Sequence, residues 1–277
     1  MGPFSRWPPA PTPYRLGVHK PSEGDTMKKV IVVSDLHADR WGPERFAAFR
    51  DFLYYVRSSA SRLVVNGDLL DLPPVEGEEL SDQVKAVLGE LVALPLSGVE
   101  LVYLPGNHDI ALRGLPLTLP NFQLAYPRLL FNVGRKRVYV EHGHYYDPLF
   151  NGGYDMLEAL RKFTGYDVGK VAVDTWKAIT RLLQRVAPSK TENEVGQTEV
   201  PDRLRKVWEQ AARNVRKEFR CDYVLFGHTH SPKPPDEKPR YYINTGDWET
   251  HMTVTEFDED GVPLQYDWAA NPRVALR

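Results

Sequence analysis

Val30-Ile31-Val32-Val33-Ser34-Asp35-Leu36-His37 passes directly from an unbroken β-branched run to an Asp-x-His group. Four consecutive apolar residues without polar alternation read as a strand buried on both faces, the kind found in parallel sheets covered by helices. The polar residues then fall just past the strand's C-terminal end, where open α/β sheets place ligands. The same succession recurs along the chain. Leu63–Val65 leads to Gly67-Asp68, and Leu101–Leu104 to Gly106-Asn107-His108-Asp109. Val138–Val140 leads to Glu141-His142-Gly143-His144, and Tyr223–Phe226 to Gly227-His228-Thr229-His230. Of the eight histidines, His37, His108, His142, His228 and His230 all stand in these groups, which histidines scattered over a surface would not do. His19 and His251 lie outside these groups and His144 only closes one of them after His142, and all three read as surface or supporting residues.

The residue types point to metal. Asp35, His37, Asp68, Asn107, His142, His228 and His230 are oxygen and nitrogen donors with no thiolate among them. Such a set suits Mn, Fe or Zn and argues against Cu(I) and iron–sulfur clusters. Seven donors are too many for one tetrahedral ion but suit two ions that share a carboxylate. Paired ions are the usual clamp for in-line displacement at phosphorus, because they acidify water and offset charge growing on the phosphoryl oxygens. Taken singly, each group has a plainer reading. Gly-Asn-His-Asp is also a turn sequence, and an Asp-x-His at a strand end can be a helix cap. What the plainer readings do not explain is all five groups at matching strand ends.

The ordered series Asp-x-His, Gly-Asp, Gly-Asn-His-Asp, His and Gly-His-x-His resembles the calcineurin-like metallophosphoesterase superfamily from about Met27 to about Thr255. The resemblance implies an α/β fold, a two-sheet αββα sandwich with a helical insert. It implies that Asp35, His37 and His230 hold one divalent metal, that Asn107, His142 and His228 hold the second, and that Asp68 bridges them. Manganese is the expected metal, with Fe or Zn as alternatives. His108 is the family's non-ligand histidine, expected to stabilise the transition state and protonate the leaving oxygen. Asp109 is expected to hydrogen-bond His108 and orient its ring. Asp71, close after Asp68, is read as a further group that orients the metal shell.

Composition agrees with a globular enzyme. The chain has 277 residues, 42% of them hydrophobic, and a net charge of −2, so no global field draws it to nucleic acid or membrane. Cys221 is the only cysteine, which excludes an intrachain disulfide and suits a reducing, cytoplasmic setting. No apolar stretch approaches the ~20 residues of a membrane span, which leaves room only for peripheral membrane contact. Residues 1–26 hold Pro3, Pro8, Pro9, Pro11, Pro13 and Pro21 without apolar periodicity and read as a flexible extension before a domain over 27–270. Pro43 opens a helix with Phe46, Phe49, Leu53 and Val56 on one face. Ser81 to Leu94 reads as a second helix, after an acidic loop carrying Glu76, Glu78 and Glu79. Tyr241–Asn244 and Thr253–Thr255 read as a terminal β-meander.

Residues 154–220 read as a largely helical insert. Leu204, Val207, Trp208, Ala211, Val215 and Phe219 form one apolar stripe after Pro201-Asp202, which reads as packing on the core. The insert carries 14 Lys+Arg against 10 Asp+Glu, a balance of +4 that leaves −6 elsewhere. Faces around Val171, Trp176 and Ile179 read as a lid over the site. Such an insert before Gly-His-Thr-His, followed by Asn244-Thr245-Gly246-Asp247-Trp248, is similar to the UDP-2,3-diacylglucosamine pyrophosphatase branch. That narrower resemblance implies a small phosphoester substrate, a nucleotide-linked lipid. The chain departs from the branch at His108, where arginine is common. Two other readings stand beside it. A nuclease would use the same metal motifs and the basic insert, though the chain lacks the DNA-binding domain such enzymes append. A non-catalytic scaffold would need degraded ligand positions, and none is degraded.

Overall fold

The computed structural model describes residues 29–71, 80–114, 119–147 and 202–270. Expectations for residues 1–26, for the acidic segment 72–79 and for the lid faces at Val171, Trp176 and Ile179 fall outside the described residues. Ten strands form two sheets among the described residues. In the first, β1 (Lys29–Val33), β2 (Ala60–Asn66), β3 (Glu100–Leu104) and β4 (Phe122–Leu124) run parallel. Strand β9 (Thr253–Phe257) adds antiparallel to β1, and β10 (Pro263–Asp267) closes the edge beyond it. In the second sheet, β5 (Arg128–Val133) and β6 (Lys136–Glu141) form a hairpin, and β7 (Tyr223–Phe226) and β8 (Tyr242–Asn244) continue parallel to β6.

The unbroken apolar runs follow from burial on both faces of each sheet. Val30, Val32, Val64 and Val102 meet Phe131, Val138, Val140, Leu225 and Ile243 between the sheets. Their neighbours Ile31, Val33, Leu63 and Val65 face outward to α1 (Pro43–Ser59) and α2 (Asp82–Leu96), which bury Phe49, Phe52, Leu53, Val56, Val87 and Leu91 against them. On the far side, Tyr139, Val224 and Phe226 receive Trp208, Ala211, Ala212 and Val215 of α3 (Asp202–Phe219). The architecture is therefore a four-layer αββα sandwich. Pro43 occupies the first turn of α1, where its missing N–H costs nothing. The Ser81 hydroxyl caps α2 by accepting from the Val84 amide at 3.2 Å.

The meander expectation is corrected. Tyr242–Asn244 pairs with β7 in the second sheet, whereas Thr253–Phe257 pairs with β1 in the first. The Gly246-Asp247-Trp248 segment between them crosses from sheet to sheet, with the Trp248 indole fully buried against Phe49 and Phe52. This crossing carries the chain directly over the polar loops at the strand ends, where the Trp248 amide donates to the Asp35 carbonyl at 3.0 Å.

Candidate metal centre

The loops after β1 and β2 continue the sheet's pairing beyond the strands themselves. Amides of Asp35, His37 and Ala38 donate to carbonyls of Gly67, Asp68 and Leu69, each at 3.0 Å. The two Asp-bearing turns are thereby fixed side by side. Asp35, His37, Asp68, His228 and His230 all take positive φ, between 45° and 68°. That region is uncommon for residues with a Cβ and persists only where surrounding contacts over-determine it. Gly67, at φ 85°, has a second requirement: a Cβ there would collide with the imidazole of His142 and the backbone of Gly106.

The second sheet is sewn to the first through buried polar groups. The amide of His228 donates to both carboxylate oxygens of Asp35 at 3.1 and 3.0 Å. Asn66 faces both ways. Its side-chain amide donates to the Glu141 carbonyl at 3.1 Å, and its own carbonyl accepts from His142 Nδ1 at 2.9 Å. The His108 amide donates to Asp68 Oδ1 at 2.9 Å.

These links bring the sequence-derived donors into two groups. Asp35, His37 and His230 offer donor atoms within 4.8 Å of one another, and so do Asp68, His142 and His228. Asn107 Oδ1 joins the second group, 3.1 Å from His142 Nε2 and 2.9 Å from His228 Nδ1. The outer ring nitrogens are turned to acceptors: His37 Nδ1 to Asp71 at 2.7 Å, His142 Nδ1 to the Asn66 carbonyl, and His228 Nε2 to Asp147 at 3.0 Å. Each acceptor holds a proton on the outer nitrogen and leaves the inner one for the centre, the arrangement in which imidazole ligates a cation. With two buried carboxylates and an amide oxygen beside them, the donor set fits divalent ions.

Charge in the metal-free fold tells the same story. Burial opposes ionisation of Asp35, yet the neighbouring His142 and His230 lower its carboxyl below the usual range. Asp68 is likewise held low, against burial, by its ion pair with His142 at 3.1 Å. Burial also opposes the imidazolium of His142, but Asp68 and Asp35 outweigh it and raise that group to about 10. For His230 the same opposition, won by Asp35, gives about 9. Two buried carboxylates thus demand positive charge, which protons supply when no cation is bound.

Asp109 does not take the place expected of it. The residue is fully buried, and its carboxylate accepts from the Leu69 and Gly106 amides, both at 2.7 Å. It ties the β2 and β3 loops together, while the neighbouring His108 side chain turns outward with 40% of its area exposed. Asp71 holds His108 instead, accepting from Nδ1 at 2.8 Å with the same Oδ1 that faces His37. Burial works against the Asp71 charge, but the hydrogen bonds from His108 and His37 keep its carboxyl well below the usual range. Arg40 grips the other Asp71 oxygen and reaches Glu249 at 3.1 Å. His144 is not at the surface: it is 2% exposed, its ring 5.5 Å from that of His142. His251 is half-buried and bonded to Asp247 at 2.6 Å. Sequence reasoning missed Asn66 and Asp147. Asn66 left a trace as the polar end of an apolar strand, but Asp147 belongs to no motif.

Known proteins supply a second line of observation. The sequence model for the calcineurin-like phosphoesterase matches residues 28–232. The UDP-2,3-diacylglucosamine hydrolase of Haemophilus influenzae is 23% identical over 245 residues, covering 85% of this chain and 97% of that protein. The enzyme of the same description from Chromohalobacter salexigens is 23% identical over 224 residues, covering 79% and 88%. Among solved structures, vacuolar protein sorting 29 of Cryptosporidium parvum covers 91% of this chain and 97% of its own at 12% identity and a TM-score of 0.45. A predicted phosphoesterase of Streptococcus pneumoniae covers 87% and 90% at 16% identity and a TM-score of 0.38.

Proposed function

The chain belongs to the calcineurin-like phosphoesterase family and is a metal-dependent hydrolase of phosphoester bonds, and from that premise we propose that it cleaves a phosphate ester or pyrophosphate bond at a two-ion centre. One observation carries the proposal: two donor groups, each with one buried carboxylate, lie side by side with Asn107 completing the second. Asp35, His37 and His230 would hold one ion, Asn107, His142 and His228 the other, and Asp68 would be shared. When bound, the ions would lower the pKa of a water and stabilise charge on the phosphoryl oxygens. Manganese suits this oxygen–nitrogen set, as Fe and Zn do.

The chain's own residues do the rest. His108 stands at the opening, with Nδ1 held by Asp71 and Nε2 left to reach a substrate. Burial disfavours its charge, but Asp71 and Asp68 raise its pKa. The raised pKa favours the imidazolium form, in which His108 would give its Nε2 proton to the leaving oxygen. Asp71 fixes the ring, and Arg40 fixes Asp71. Asp109 takes a positioning role by holding the loops that carry Asp68 and His108.

For the substrate, a nucleotide-linked lipid cleaved at its pyrophosphate is the reading that the near full-length UDP-2,3-diacylglucosamine hydrolase relatives support. A cytoplasmic enzyme with peripheral membrane contact goes with it. No helix among the described residues is long and apolar enough to cross a membrane. The test is a Mn²⁺-supplemented screen against a nitrophenyl monoester, a nitrophenyl diester, cyclic nucleotides and UDP-2,3-diacylglucosamine. Metal-dependent turnover of the lipid at least as efficient as that of the small esters is the expected result. A protein that binds no metal, or binds it and turns over none of these, would end the proposal.

A further inference from the structure

The strands that deliver His142 and His228 at their C-terminal ends carry a different cluster at their N-terminal ends. Lys136 opens β6, Asp222 immediately precedes Tyr223 at the start of β7, and Arg240 and Tyr241 precede β8. With Arg216 of α3 they line an open groove of about 360 Å³. At ~3.3 Å of rise per strand residue, the groove lies roughly 15–20 Å from the candidate metal centre.

The charges in the groove do not cancel. Asp222 is its only acid, and both carboxylate oxygens are engaged, one by Lys136 Nζ at 3.3 Å and one by the Arg137 amide at 2.9 Å. That leaves the guanidinium groups of Arg216 and Arg240, neither of which has an ion-pair partner among the described residues. Arg216 lies over the Tyr241 ring, 4.8 Å from its centroid, which holds the guanidinium plane at the groove wall. The wall itself is fixed. The Tyr241 carbonyl accepts from the Val224 amide at 2.7 Å, and the Tyr223 ring packs on Phe257 at 5.8 Å. Exposed Arg213, Lys217 and Arg220 on and just after α3 add positive field nearby, although the whole chain is −2. Two forked donors and Lys136 in a groove whose lining holds a single acid, Asp222, match the oxygens of a phosphoryl group.

We infer that this groove is a second binding site, for a phosphate-bearing ligand, separate from the metal centre. The shared chemistry could be presented by a small diphosphate or by a phospholipid headgroup, and the experiment separates these sources. The metal-loaded full chain, isotope-labelled, is titrated with methylenediphosphonate, which phosphoesterases cannot hydrolyse. A second arm sediments the protein with phosphatidylcholine vesicles with and without phosphatidic acid. Saturable shifts of the Tyr223, Arg240 and Tyr241 amides are expected. Arg216→Ala/Arg240→Ala should weaken that response about tenfold or more, the worth of one lost charge-assisted hydrogen bond, and leave nitrophenyl phosphate hydrolysis unchanged. Vesicle binding that needs both phosphatidic acid and the two arginines, without a diphosphonate response, would assign the site to a headgroup phosphate. Arg240→Ala alone serves as the test should the double variant melt early. A response equally strong in the variants, or none in either arm, overturns the inference.

Discussion

The floor and the rim of the metal centre are built differently. Asp35, His37, Asp68 and His142 are at most 1% exposed, locked by backbone amides and by Asn66. His108 and His230 keep 40% and 34% of their side-chain area open, and His108 is held chiefly by one carboxylate, Asp71. The floor can act only through fixed charge, because nothing the size of a substrate reaches it. The rim is open to a substrate, and there the proposed proton transfer from His108 would take place. Damage to the floor should therefore remove the ions and all activity together, whereas damage at His108, the rim group that is not a proposed ligand, should separate metal content from turnover.

The largest effect is expected at Asp68. Asp68→Asn replaces the buried carboxylate between the two donor groups with a neutral amide that cannot offset cationic charge. Turnover should drop by ~10³-fold or more, the scale of a lost electrostatic contact in a dry site, and bound metal should fall with it. Normal turnover with two ions retained would show that the floor is not what the reaction needs.

Removing metal from the intact chain should expose, through pH, the charge carried by the floor ligand His142 and the rim ligand His230. In the chelated protein His142 and His230 titrate near 10 and 9, against 6.5 unfolded. A folded pKa raised in this way adds stability that is complete below about pH 6.5 and is lost as pH rises through 9 to 10. The melting temperature of the chelated protein should thus fall between pH 7 and pH 10. Metal loading near pH 7.5 should displace these protons, about two per chain, read as a buffer-dependent heat of binding. Loading without proton release would mean that the imidazoles are not the ligands.

At the rim, His108→Ala should leave both ions in place and slow turnover by ~10²–10⁴-fold, the usual worth of a positioned acid. Nitrophenyl esters should suffer less than alkyl esters, since a good leaving group needs little protonation. Asp71→Asn should show the same leaving-group pattern at roughly 10–100-fold. Asp109→Asn should not. Its carboxylate is engaged by the Leu69 and Gly106 amides and lies beside Tyr103, not His108, so the expected result is a lower melting temperature with leaving-group sensitivity unchanged.

Much of this was legible because the apolar runs end where the candidate donors begin. Strand positions and seven donors follow from Val30–Val33 and its counterparts, since burial on both faces forces continuous apolar sequence. Other features had no such signature. The Asp109–His108 expectation failed because adjacent residues in the loop face opposite ways, and chain order does not say which faces inward. Asp147 reaches His228 across 81 residues of sequence, and Asp71, read from its nearness to Asp68 as a group that orients the metal shell, gave no sign that it also holds His108. The sheet exchange between β8 and β9 was hidden because both are short strands, of three and five residues, whose sequence does not say which neighbour they pair. Trp248, packed on α1, is what carries the chain across.

The smallest effect is expected at the outermost link of the rim. Glu249 touches the site only through Arg40, at 3.1 Å, with side-chain areas 28% and 40% exposed. An ion pair this open is worth ~0–1 kcal/mol, because water screens it and two long side chains must be ordered to form it. Asp71, by contrast, already has His37 and His108 donating to it, so losing Glu249 leaves the His108 ring where it was. Glu249→Gln should accordingly change kcat by less than about fivefold, with leaving-group sensitivity and metal content as in the wild type. Arg40→Ala should cost more, because it strips the countercharge from Asp71 itself. If Glu249→Gln instead matched Asp71→Asn on poor leaving groups, the boundary between floor and rim would have to move outward, with Glu249 and Arg40 counted among the groups that set the position of His108.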